Sequence, residues 1–216
     1  MTEEMLVESS LTDLSCSAFA AELAAKKSVP GGGGAAALAG ALGIALCSMA
    51  GQFTLGKKAY ADVEDDVLRM LAEAEDIRGN LLELVEEDAT SFAPLARAYK
   101  IPKDDPARKD AIAEATRGAC RVPFRIMEEA ARAIRVLEEM ERKGSAFMVS
   151  DVGCGASLCA SALEAARLTV LVNTVELKGD PLADELDRKA DHMLEDCLPR
   201  AQAIVRSVSD RLRGKE

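Results

Sequence analysis

The chain has 216 residues and carries 37 Asp and Glu against 27 Lys and Arg, a formal net charge of −10 that excludes a nucleic-acid-binding surface but leaves room for a local basic cluster that holds a small anion. It is 49% hydrophobic yet only 3% aromatic, with no Trp, so one domain over residues 1–216 must build its core from Ala, Leu, Val and Met. Six cysteines without a C-x-x-C pair, and an opening MTEEMLVESS without the basic-then-apolar layout of a secretion signal, point to reduced thiols in a cytoplasmic protein.

No segment alternates with period two for long, while nearly every segment repeats at three to four. The expectation is an all-α, mostly up-and-down bundle of about six helices around a buried glycine- and alanine-rich helix. The first helix is placed over about 10–26, with Ser10 or Thr12 as its N-cap. The second, over 32–54, lies in VPGGGGAAALAGALGIALCSMAGQFTLGKKAY, which has no charged side chain before Lys57. That stretch is long enough to span a membrane, but Ala and Gly dominate it and no aromatic belt flanks it, so no span is expected. Its GQFTLGKK nearly matches a phosphate loop. Lys58, however, stands where a hydroxyl would hold Mg²⁺, and a helix rather than a strand precedes it. The remaining reading is an inner helix. Small residues recur at Ala36, Gly40 and Ser48 and at Gly43, Cys47 and Gly51, leaving grooves for close neighbours. A helix uncharged all round is buried all round, either centrally or against a second subunit. Gly31, Gly32, Gly33 and Gly34 at its start offer open N–H groups and the positive end of the dipole, which makes either an anion site or a simple flexible turn. Lys57, Lys58 and Tyr60 at its end are either cations suited to a helix C-terminus or parts of a site.

The third helix, over 62–98, has an apolar row through Val67, Met70, Ala74, Ile77, Leu81, Leu84 and Val85 whose next place is Asp88, followed by Phe92 and Leu95. Glu86 and Glu87 fall off the row and are expected in solvent. A carboxylate on a core face needs a partner, so Asp88 is either functional or a structural acid paired with Arg or Lys. The fourth helix is placed over 105–142, kinked by Pro123. The fifth, over 146–177, sets Asp151, Gly155, Leu158, Ala162, Thr169 and Asn173 along one face. Asp151 sits where the helix dipole alone favours an acid, or it is functional. The sixth, over 182–212, opens on GDP, and its His192, among charges, reads as a surface residue. The sequence has no metal-binding constellation, Ser-His-Asp order or dinucleotide fingerprint, so neither metal nor cofactor is expected.

PGGGGAAALAGALG, GQFTLGKKAY, EEDATSFAPLARAYKIPK and SDVG follow one another in an order and spacing that resembles the cyclodeaminase/cyclohydrolase family. That family includes stand-alone methenyltetrahydrofolate cyclohydrolases and the C-terminal domain of formiminotransferase-cyclodeaminase. The resemblance runs over about residues 9–178 and implies an all-α bundle, a homodimer, a tetrahydrofolate substrate and no metal. It implies Lys57, Asp88 and Asp151 as catalytic groups, and Pro30, Gly31, Gly32, Gly33, Gly34, Lys58, Tyr60, Phe92 and Asn173 as substrate contacts. Phe147 and Thr169 depart from it, standing where many members have asparagine.

Three functions follow as alternatives. A cyclohydrolase adds water to the amidinium carbon of 5,10-methenyltetrahydrofolate and opens the ring to 10-formyltetrahydrofolate. A cyclodeaminase closes the ring on a formimino group and expels ammonia. A silent bundle would bind folate or a partner protein without turnover. Both reactions need a proton shuttle at one tetrahedral carbon, with a carboxylate to activate water and a lysine to donate to the intermediate. The anionic folate tail suits the glycine N–H groups or a Lys. Gly34 and Lys57 lie roughly 35 Å apart along a helix. Alternating helices therefore gather Gly31, Gly32, Gly33, Gly34, Asp88 and Asn173 at one pole, and Lys57, Lys58, Tyr60 and Asp151 at the other. One folate cannot touch both poles of one subunit, so an antiparallel dimer is expected to join them.

Overall fold

The protein is described by a computed structural model over residues 10–214. Its helices are α1 (Cys16–Ala24), α2 (Gly32–Gln52), α3 (Glu64–Tyr99), α4 (Arg108–Ala119), α5 (Arg121–Lys143), α6 (Val149–Thr174) and α7 (Pro181–Leu212). Single 3-10 turns join several of them, and no strand occurs among the described residues. The bundle is built around α2, which packs against α6 and α3 along its length and against α5 as well. The layer outside α6 is α7, and α4 lies on the far half of α3.

The glycines explain why α2 is central. A Cβ placed on Gly43 would lie 2.6 Å from Cys159 Sγ and 2.9 Å from the Gly155 carbonyl oxygen. One placed on Gly155 would lie 2.7 Å from the Gly43 carbonyl oxygen. The backbones of α2 and α6 therefore touch, which only paired glycines allow. Gly40 and Gly51 instead receive the side-chain tips of Leu81 and Leu71 of α3, 3.2 and 2.8 Å from where their Cβ atoms would be. By length and composition, Gly32–Gln52 and Ala146–Leu177 could each cross a membrane; the bundle buries 56% and 50% of their apolar windows.

Three expectations need correction. The first helix begins at Cys16, not near residue 10, and its cap is Ser15, whose hydroxyl accepts the Ala18 N–H at 3.2 Å. Ser10 and Thr12 bind Glu86 instead: the Ser10 hydroxyl donates to Glu86 Oε1 at 2.5 Å and the Thr12 N–H at 2.9 Å. Glu86 thus anchors the N-terminal segment to α3, while Glu87 stands in solvent as expected and pairs there with Arg125.

The third correction is that the helix expected over 105–142 is two helices, α4 and α5, meeting at Cys120. Pro123 has no N–H, so the Ala119 carbonyl four residues earlier loses its helical donor. Asn173 of α6 fills the gap, its side-chain amide donating to that carbonyl at 3.2 Å. Asn173→Leu leaves the carbonyl unpaired and is expected to lower stability by about 1–3 kcal/mol, read as a shift in the urea midpoint.

Candidate active site

The glycine pole forms where α3 delivers Asp88 to the start of α2. The Gly34 N–H donates to Asp88 Oδ2 at 2.8 Å. A Cβ on Gly33 would lie 2.2 Å from Asp88 Oδ1 and 2.6 Å from its Cγ, so the carboxylate occupies the volume that any larger residue would need. Asp88 is half-buried, and burial raises its carboxyl above the ordinary 3.8, opposed by the Gly34 N–H. No Arg or Lys pairs with it among the described residues, which removes the reading of Asp88 as half of a structural ion pair. The helix N-terminus is its counter-charge.

Around this contact, Pro30 is buried and Gly31 caps α2 in an extended conformation. Gly32 has Thr169 Oγ1 of α6 beside it, 3.8 Å from where its Cβ would be. Phe92, one turn past Asp88, is exposed. Asn173 gives its amide to the Ala119 and Thr169 carbonyls, both at 3.2 Å. Its N–H groups therefore serve the bundle.

The lysine pole pins two connections together at the other end of α2. Gly56 has φ +69°, a left-handed turn that turns the chain back after α2. The Ser145 N–H donates to Thr54 Oγ1 at 2.8 Å, and Lys57 Nζ donates to Ser145 Oγ at 3.1 Å. The Ala146 N–H donates to the Tyr60 hydroxyl at 3.0 Å. Asp151 follows in the first turn of α6, half-buried, accepting from Ser150 Oγ at 3.4 Å. Lys58 is exposed, and so is Phe147, at 79%. Thr54 and Ser145 organise this end. Neither carried a signal beyond its place in a separator between helices.

The two poles stand as the alternating topology requires, with Gly33, Gly34 and Asp88 at one end and Lys57, Tyr60 and Asp151 at the other, about 30 Å apart along α2. Among the described residues no three His, Cys, Asp or Glu side chains converge as a metal ion requires. The arrangement suits proton transfer: one carboxylate held partly out of water beside a glycine-lined helix start, and an ammonium and a phenol at the opposite end.

The all-α bundle entered through a glycine-rich central helix is the architecture of a known family. A profile described as formiminotransferase-cyclodeaminase matches residues 15–192, and the chain belongs to that family. It is 33% identical over 197 residues to a methenyltetrahydrofolate cyclohydrolase of Methylorubrum extorquens, covering 89% of this chain and 93% of that protein. It is 30% identical over 208 residues to the formimidoyltransferase-cyclodeaminase of Rattus norvegicus, covering 94% of this chain but 38% of that longer protein. The crystal structure of formiminotetrahydrofolate cyclodeaminase from Thermotoga maritima matches with a TM-score of 0.82 at 26% identity, covering 92% of this chain and 99% of that one.

Proposed function

We propose that this protein hydrolyses 5,10-methenyltetrahydrofolate to 10-formyltetrahydrofolate. The observation that carries the reading is Asp88, a carboxylate without a cationic partner, raised by burial and fixed to the α2 N-terminus. A carboxylate in that setting attracts the cationic amidinium ring and takes a proton from the attacking water, then returns it to the ring nitrogen as the carbon–nitrogen bond breaks. The substrate itself supplies the electrophilic carbon, so the reaction needs no metal or cofactor. The likeness to a stand-alone cyclohydrolase over nearly the whole of both chains supports hydrolysis. The likeness to cyclodeaminases supports ammonia release from formiminotetrahydrofolate as the second reading.

The same proposal includes a homodimer. The exposed side of α2 carries Leu42, Met49 and Phe53 toward the lysine pole, and α6 carries Leu168 and Val172 toward the glycine pole. The remaining halves of these rows are small: Ala35 and Ala39 on α2, Cys154 and Ser161 on α6. An antiparallel second copy sets bulky halves against small ones. It also brings the partner's lysine pole to Asp88, where an ammonium donates to the tetrahedral intermediate. Free thiols, two of them exposed, and a net charge of −10 support a cytoplasmic protein that binds no nucleic acid and crosses no membrane.

The test is spectrophotometric, because methenyltetrahydrofolate absorbs near-ultraviolet light and its hydrolysis product does not. Catalysed loss of absorbance is expected, and a rate equal to the buffer's would reject the enzyme. Ammonia release from formiminotetrahydrofolate would instead select the second reading. Asp88→Asn and Lys57→Met are each expected to be inactive alone. Unfolded and refolded together, they should recover about a quarter of wild-type sites if each site draws on two subunits. No recovery would confine the site to one chain.

A further inference from the structure

We infer that Ser145, itself held by Thr54, is a positioning residue that fixes the Lys57 ammonium for the reaction. This rests on the reading of Lys57 as the donor to the tetrahedral intermediate. Lys57 is exposed, on the turn that follows α2. A lysine in such a place has a long, rotamer-rich side chain and no preferred direction. Its Nζ nevertheless has one fixed point, because it donates to Ser145 Oγ at 3.1 Å, across 88 residues of sequence. Ser145 is buried, and it is fixed from two sides. Its N–H donates to Thr54 Oγ1 at 2.8 Å, and the buried Thr54 gives its own hydroxyl to the Ala50 carbonyl at 2.7 Å, so the series of bonds ends on the backbone of α2. On the other side, the Gly144 N–H donates to the Met140 carbonyl at 2.7 Å, and a Cβ on Gly144 would lie 2.7 Å from that oxygen and 2.9 Å from Met140 Sδ. Met140 is buried, with its methyl 3.1 Å from where a Cβ on Gly51 would be. The ends of α2 and α5 thus form one platform around Ser145, and Lys57 hangs from it.

The choice of a hydroxyl as the acceptor is what points to function. Lys143, two residues before Ser145 at the end of α5, is spent on carboxylates: it donates to Asp66 at 2.5 Å and to Glu139 at 2.8 Å. Lys57 has no carboxylate within ion-pair distance among the described residues. A carboxylate would hold the ammonium more tightly but would offset the charge that a developing anion needs. A neutral oxygen fixes the direction of one N–H and leaves the charge whole. An ammonium has three donors, so two remain for the reacting atoms. The connection between α5 and α6 does not need this hydroxyl for itself. It is closed by backbone donors, the Ser145 N–H on Thr54 and the Ala146 N–H on the Tyr60 hydroxyl at 3.0 Å. Among the described residues Ser145 Oγ makes no hydrogen bond except the one from Lys57.

Ser145→Ala removes the oxygen that seats Lys57 and keeps the N–H that binds Thr54, so its urea midpoint should equal that of wild type. Its kcat for methenyltetrahydrofolate should fall about 10–100-fold while KM changes less than about twofold, because a displaced donor is lost from the transition state and not from substrate binding. Thr54→Val withdraws the support beneath Ser145 and should lose kcat in the same way, whereas Thr54→Ser keeps the hydroxyl and should restore it. Wild-type kcat in Ser145→Ala would overturn the assignment. A loss accompanied by a lowered urea midpoint in that variant would also overturn it, since the hydroxyl would then serve the fold. A second measurement needs no turnover. In protein carrying 15N in its lysine side chains, the Lys57 ammonium signal, assigned by its absence from Lys57→Met, should exchange protons with water more slowly than that of the exposed Lys58. In Ser145→Ala the two should exchange alike. Equal exchange in wild type would overturn the proposal. If wild type shows no turnover while Ser145→Ala frees the ammonium, the hydrolase reading fails and the hold on Lys57 stands.

Discussion

Alanine at Gly43 is expected to lower the unfolding free energy by about 2 kcal/mol, although alanine is the better helix former. The new methyl would sit 2.6 Å from Cys159 Sγ and 2.9 Å from the Gly155 carbonyl, the second of which is backbone and cannot rotate away. Overpacking of this kind costs about 1–3 kcal/mol at a well-packed site, and a backbone obstacle puts Gly43 at or above the upper end. Helix propensity returns about 1 kcal/mol of it. Valine at Gly43 has a smaller propensity gain and more bulk, and should leave little folded protein. Gly79→Ala is the control. Gly79 lies exposed inside α3 with nothing within 4 Å of its added Cβ, so only the propensity gain of about 1 kcal/mol remains and the sign reverses. Urea midpoints for the three variants check the order. A Gly43→Ala protein as stable as wild type would mean that α2 and α6 are not in backbone contact.

Asp88→Asn should reduce turnover by about 10²–10⁴-fold while leaving the fold at least as stable as wild type. The amide keeps the shape, and its oxygen still accepts the Gly34 N–H, but it cannot take a proton. The stability sign follows from the direction of the shift. Burial, the larger cause, raises the folded carboxyl above 3.8, with the Gly34 hydrogen bond opposing it. The folded state therefore holds its proton more tightly than the unfolded chain. That advantage is complete below the unfolded value of 3.8 and is lost as pH rises through the raised folded value. At neutral pH the ionised group is a net burden on folding, and asparagine removes it. In wild type, kcat/KM should fall on the acid side as Asp88 protonates, at a pH above that of an ordinary aspartate. Thermal melts and a pH–rate profile test both halves. An Asp88→Asn protein that is inactive and also several degrees less stable would show that the carboxylate is structural.

Much of this was readable from residue spacing because helix packing writes its own period into the chain. The close approach of α2 and α6 follows from glycines at intervals of three and four, and Asp88 was conspicuous because it continued an otherwise apolar row. The boundaries that failed did so where a local rule met a long-range partner. Pro123 was read as a kink; it interrupts the helix next to Cys120, whose backbone stays helical, and Asn173, 54 residues from Ala119, takes over the freed carbonyl. Ser10 and Thr12 had the chemistry of caps, yet Glu86, more than 70 residues away, claims both.

The glycine seam between α2 and α6 has a mechanical consequence. Two helices whose backbones touch cannot slide or roll past each other without a collision along the whole contact. They form a rigid strut, and the spacing between its two ends behaves as a fixed ruler. Any opening that admits or releases a ligand then falls outside the strut, while the beam itself holds still.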